Sequence, residues 1–242
     1  MTPFDMSQKE NVRGAISFDE FKWLKQALAV PVRKVLDSYP LHAYNSVNDV
    51  IVIGIDPGET TGICCVNYDI AEDMIYWIAT EIATKPTPKP VEGEYKDYLF
   101  TRGIDRIEKW IQDERLLNYD GCSLTRIVIE DYHVYSWKTA DHAWSNIYTL
   151  QLIGALRDRM ERDLRYEEGY NDMRGVPRSE YVMQTAQEGK TFFKDVFLRG
   201  MNIYDDTAGM PHARDALRHA LQYVTFKSPE ALKQAIAYKD SK

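Results

Sequence analysis

Residues 51–62 read I-V-I-G-I-D-P-G-E-T-T-G. Four apolar β-formers, Ile51, Val52, Ile53 and Ile55, run straight into Asp56, and the Pro57-Gly58 turn follows at once. The pattern predicts a buried strand that delivers one carboxylate to the end of a sheet. The turn residues send the chain back as a second strand over 62–68, so 51–68 is expected to be a hairpin with an acid at its corner. An unpaired carboxylate at such a partly buried place is costly, which points to cation binding or chemistry. The bland alternative is a plain β-turn, for which Asp, Pro and Gly are the common formers.

Outward from this hairpin the core is expected to start near Asp49. A third strand is predicted over 73–83 (M-I-Y-W-I-A-T-E-I-A from Met74), and the Pro/Gly-rich stretch 84–94 as a loop. Phe100, Ile104, Ile107 and Ile111 mark one face of a helix. Arg126 to Glu130, R-I-V-I-E, is a short strand that again ends in an acid. A long helix is expected over about 140–165, a strand over 180–185, and helices over about 188–199 and 212–225. Ser228-Pro229 has the form of an N-cap followed by Pro at the first helical position, opening a last helix. Toward the N-terminus, S-F-D-E at 17–20 matches a capping box with Ser17 as N-cap. Phe18, Phe21, Leu24 and Leu28 then recur at helical spacing. The expected organisation is a helical extension over 1–48, one domain over 49–226 and a C-terminal helix over 227–242. Within the domain, an antiparallel opening meander followed by parallel strands gives an α/β fold, a mixed five-stranded sheet flanked by helices.

Composition bounds the function. The chain has 242 residues, 44% of them hydrophobic, with five Trp, enough for a packed core. No window approaches the ~18 apolar residues of a membrane span. The first ten residues, M-T-P-F-D-M-S-Q-K-E, lack the apolar stretch of a signal peptide. Cys64 and Cys65 are neighbours on a predicted strand and so point to opposite faces, and Cys122 stands alone. Neither a disulfide framework nor a zinc pattern results, and a reducing cytoplasm is the expected setting. The net charge of −7 argues against a surface that binds nucleic acid everywhere. It leaves room for a local basic groove: Arg174, Arg178, Lys190, Lys194 and Arg199 outnumber Glu180, Glu188 and Asp195 between 173 and 200.

Three places share one design. Asp56 and Glu130 each end a strand, and His212 and Asp215 open the late helix P-H-A-R-D-A-L-R-H-A-L. At 100° per residue, His212, Asp215 and His219 fall within roughly 60° of one another, with Ala213, Ala216, Leu217, Ala220 and Val224 on the adjacent arc. If the strands of Asp56 and Glu130 are neighbours, their carboxylates lie about one strand spacing, ~5 Å, apart. Such a pair repels unless protonated or bridged by a cation. Oxygen-rich ligands favour Mg²⁺ or Mn²⁺ over zinc, and two such ions can run phosphodiester cleavage. His212 is then a metal ligand or a base. Asp131 is read as a solvated neighbour and His219 as a core-edge histidine.

At these residues the chain resembles the RuvC-like Holliday-junction resolvases of the ribonuclease H-like superfamily, in a bacteriophage form. G-I-D-P-G-x-x-x-T-G is similar to the family's first-strand motif and I-V-I-E to its second acid motif. H-A-R-D-A-L-x-x-A is similar to its C-terminal motif. The resemblance spans about 50–225 and implies Asp56, Glu130, His212 and Asp215 as catalytic, metal-binding positions holding two Mg²⁺ ions, with Mn²⁺ substituting. It implies Lys190, in Q-T-A-Q-E-G-K-T-F-F-K-D-V-F-L, near the scissile phosphate, with Lys194 as a further phosphate contact. It also implies branched DNA as substrate, a homodimer, and the cytoplasm of a bacterial or phage-infected cell. The family carries a junction-probing aromatic three residues after the second acid; here His133 stands there, with Tyr132, Tyr135 and Trp137 nearby. Tyr132 and Tyr135 are the candidates for stacking on bases. Two other classes share parts of the pattern. Actin-like ATP phosphotransferases carry a similar first strand but need two such halves and a second phosphate motif. A non-catalytic ribonuclease H-like binding module would not need competent residues at all four positions.

Overall fold

The computed structural model describes residues 9–17, 49–69, 74–85, 96–113, 123–132, 148–166 and 179–228. The strands are β1 (Val12–Ser17), β2 (Asp49–Asp56), β3 (Thr60–Asp69), β4 (Met74–Ala83), β5 (Ser123–Asp131) and β6 (Ser179–Thr185). The helices are α1 (Lys96–Asp113), α2 (Tyr148–Tyr166), α3 (Ala186–Phe192), α4 (Asp195–Gly200), α5 (Ile203–Asp206) and α6 (Pro211–Phe226). The strands form one sheet in the order β1-β4-β3-β2-β5-β6. β2, β3 and β4 are the antiparallel meander, and β5 and β6 run parallel to β2. The ribonuclease H-like α/β expectation is therefore met.

The sheet has six strands rather than five. The additional strand is β1, V-R-G-A-I-S, which pairs antiparallel with β4 from Val12↔Ala79 to Ser17↔Met74. It lies inside the stretch expected to be a helical extension, and Ser17 ends a strand in place of capping a helix. The physical reason is the free edge of β4, whose backbone groups β1 satisfies. The helical pattern after Ser17, the loop 86–94 and the last helix after Ser228 lie outside the described residues. The helix expected over 188–199 is two helices: Thr185 starts α3 with a reciprocal cap to Glu188, and Phe193-Lys194 separates it from α4.

Alternation along the strands makes two cores. Val50, Val52, Cys64, Val66, Trp77 and Val128 face α6, while Ile51, Ile53, Ile55, Ile63, Cys65 and Ile129 face α1 and α2. Cys64 and Cys65 do point to opposite faces. On the α6 side, Gly54 and Gly62 leave the sheet bare. A Cβ on Gly54 would meet the Ala216 carbonyl, and one on Gly62 would meet the His212 carbonyl. α6 thus lies backbone-to-backbone on the β2–β3 hairpin, and this close approach positions everything below.

Candidate active site

β2 and β5 are neighbours, paired through Ile55↔Ile129, and Asp56 and Glu130 each follow that pair by one residue. Asp56 also pairs with Gly62, Gly62 with Glu81, and Glu130 with Gln184. Glu81, Gly62, Asp56, Glu130 and Gln184 therefore form one row across four strand boundaries, spaced by about 4.8 Å and directed to one face. α6 lies on that row. Its first three turns meet the row, with the gap at Gly62 admitting the backbone of His212.

The contacts follow in order. The His212 backbone N–H donates to Glu81 Oε1 at 2.8 Å. This is one of the unsatisfied donors of a helix start; Met210 at the N-cap supplies no side-chain cap, so the sheet supplies it. Lys9 Nζ neutralises Glu81, donating to its Oε2 at 2.6 Å and to the Gly209 carbonyl at 2.6 Å. His212 Nδ1 is 2.9 Å from Asp56 Oδ2. His219 Nε2 is 2.8 Å from Glu130 Oε2, and its Nδ1 is 3.0 Å from Gln184 Oε1. His219 is fully buried, and Gly189 opens the space its ring occupies. Asp215 is gripped by Lys190 Nζ at 3.0 Å and by Arg218, which also holds Asp195 and donates from Nε to the Phe193 carbonyl at 2.9 Å.

Electrostatics bind the set together. Burial pushes the Asp56 carboxyl up; Glu130 and Asp215 add to this, while the hydrogen bond with His212 opposes it. That same hydrogen bond is the main cause holding the His212 imidazole above its ordinary value. Partial burial works against the charge of Lys190, but Asp215 foremost, then Glu130 and Asp56, hold its ammonium above the usual lysine value. One ammonium thus feels three carboxylates. An open cleft of about 400 Å³ borders the acids, lined among others by Asp56, Gly58, Glu130, Tyr132 and His212.

The donor types, carboxylate oxygens and an imidazole, are those a hard divalent cation takes, and Lys190, in contact with Asp215, lies in the field of Glu130 and Asp56 as well. Among the described residues, no three His, Cys, Asp or Glu side chains converge as a ready-made cage; each acid is held by a basic group of the chain instead. The expected site residues divide accordingly. Asp56, Glu130, His212, Asp215 and Lys190 come together. Lys194 is exposed at the start of α4. Tyr132 lines the cleft and packs on the α1–α2 core. Tyr135, His133 and Trp137 lie outside the described residues. Three residues join the site that the motifs did not supply as ligands: Glu81, His219 and Arg218. A glutamate inside the apolar run W-I-A-T-E-I-A was the available signal for the first.

No protein-family model matches the sequence, and no curated protein sequence matches it. By structure the chain is similar to the yeast mitochondrial Holliday junction resolvase Ydc2, with a TM-score of 0.51 over 91% of this chain and 97% of that one, at 9% identity. At that identity the likeness is one of fold. The chain has the ribonuclease H-like fold, and it shares that fold with a Holliday junction resolvase.

Proposed function

We propose that the chain is a metal-dependent endonuclease that cuts four-way or otherwise branched DNA. Asp56, Glu130 and Asp215 hold two Mg²⁺ ions, with Mn²⁺ able to substitute, and His212 serves as a further ligand or as the base. The observation that carries this reading is the single row: two strand-end acids side by side, with His212 and Asp215 brought onto them by α6, at an open cleft. The shared fold with a resolvase supports it. Bound divalent ions in such a site activate a water and stabilise the leaving oxygen.

The chain's own residues do the rest. Asp56 and Glu130 offer oxygen donors from rigid strand ends, and His219 fixes the orientation of the Glu130 carboxylate. His212 has Nδ1 engaged by Asp56, so Nε2 is the nitrogen that takes or gives a proton. Lys190, half-exposed beside Asp215, supplies positive charge to the phosphate under attack. A two-fold symmetric junction needs two symmetric nicks, so the active species is a homodimer, working in the cytoplasm of a bacterial or phage-infected cell.

The test incubates the protein with a labelled four-way junction and a linear duplex of the same sequence, in Mg²⁺, Mn²⁺ or chelator. Paired nicks in the junction alone are expected, lost with chelator. Asp56→Asn should abolish cleavage and keep junction binding; unchanged cleavage would sink the site assignment. A second reading, a non-catalytic DNA-binding module, is favoured by the fact that every acid of the set is paired with a basic group. It predicts metal-independent binding and no cutting.

A further inference from the structure

We propose that Arg199, Tyr204 and Arg214 form a phosphate clamp that grips the DNA backbone beside the cleavage site, a proposal that rests on the nuclease reading above. The two guanidinium carbons each lie 4.2 Å from the centre of the Tyr204 ring, so they are at most twice that distance apart. Like charges this close repel, and an anion bound along their outer edges reduces the repulsion. Neither arginine forms an ion pair with a carboxylate among the described residues; Asp205 and Asp206, which follow Tyr204, are exposed and do not engage them. Arg218, by contrast, is consumed internally by Asp195 and Asp215. A guanidinium lying over an aromatic ring still has N–H donors to offer at its rim, and that planar fork matches two phosphate oxygens.

The clamp is built rather than incidental. Arg199 lies in the last turn of α4, Tyr204 in the single turn of α5, and Arg214 in the first turn of α6. Asn202, at φ 61°, is the one non-glycine with a left-handed backbone among the described residues. It makes the sharp turn that carries Tyr204 back toward both arginines. Placement selects the ligand. Arg214 directly precedes Asp215, about 3.8 Å away between Cα atoms, and their side chains leave the helix about 100° apart. A strand whose phosphate sits at the acids has Arg214 within reach of a neighbouring phosphate. In a chain of net charge −7, strand affinity depends on such local contacts.

The test measures junction binding by the full chain in chelator, across about 50–200 mM salt, for wild type, Arg199→Ala, Arg214→Ala and Arg214→Lys. Each alanine variant should weaken binding and reduce the salt slope by about one. Arg214→Lys should keep the slope, because the charge stays, and still lose affinity, because the fork and the ring contact go. Thermal melting checks folding, and Arg199, being exposed, provides the variant least tied to it. A wild-type slope in both alanine variants, with wild type binding normally, overturns the clamp alone. Absence of junction binding by wild type, both in chelator and with Ca²⁺ in its place, overturns the nuclease reading and the clamp together.

Discussion

The face of the sheet under α6 and the face under α1 and α2 alternate residue by residue along the same strands, yet they are built to different rules. Under α1 and α2 the contact is a full layer of side chains, Ile51, Ile53, Ile55, Ile63 and Ile129. Under α6, glycines at 54 and 62 let a helix backbone rest on strand backbone. Standing off by a side-chain layer gives cohesion and no chemistry. Close approach costs apolar burial, but it sets a helix start, with its free N–H groups, directly against a row of strand-end acids. The difference teaches that the missing side chains at 54 and 62 are what bring the motif residues together.

Breaking each face should have different consequences. Ile53→Ala, fully buried on the α1–α2 side, should lower unfolding free energy by about 2–5 kcal/mol in denaturant melts. Junction cleavage per folded molecule, assayed well below the melting temperature, should hardly change. Gly62→Ala on the other side should cost about 1–3 kcal/mol or more, because its methyl meets helix backbone and no movable side chain. Its cleavage rate per folded molecule should collapse, because the added methyl displaces His212 from Asp56. Equal activity losses for the two variants would erase the distinction between the faces. The smallest effect concerns the rim of the α6 side. Burial raises the Glu188 carboxyl, but hydrogen bonds from Lys227 and Thr185 outweigh it and leave its pKa below the ordinary value of 4.5. A depressed folded value gives stability that is present above 4.5 and is lost as pH falls through the folded pKa. Glu188 is exposed enough that solvent screens the pair, so Glu188→Gln should cost under about 1 kcal/mol at pH 7. The melting-temperature gap to wild type should close as the pH is taken below 4.5.

Local chemistry was legible in the sequence and register was not. The 51–68 hairpin, the acid-terminated strand before Asp131 and the apolar face of the late helix announce themselves through alternation, turn residues and helical spacing. Beyond the hairpin, the row depends on pairings 19 residues apart at Gly62–Glu81, 54 at Glu130–Gln184 and 74 between the strands of Asp56 and Glu130, which no local pattern encodes. That is why Glu81, and the contact of His219 with Glu130, came forward only in the fold: each is a polar residue in an apolar setting whose partner is remote in sequence. β1 was missed for a related reason. V-R-G-A-I-S alternates weakly, and the S-F-D-E that follows carries a stronger helix signal, while the free edge that recruits the strand belongs to β4. Lys190 and Asp215 were both legible as site residues, but not as partners of each other.

The adjacent buried thiols of Cys64 and Cys65, neither of them in a disulfide, give the molecule a built-in pair of chronometers. One sits beneath α6 and the other beneath α1 and α2. A thiol reacts with an alkylating reagent as the thiolate, and burial foremost holds the Cys64 thiol well above its ordinary pKa, so its labelling waits on an opening of the fold. Pulsed alkylation followed by peptide mass analysis, in a Cys122→Ser background, would clock the lifting of α6 separately from the loosening of the opposite layer. Two residues linked by a single peptide bond would thereby time the breathing of both halves of the protein.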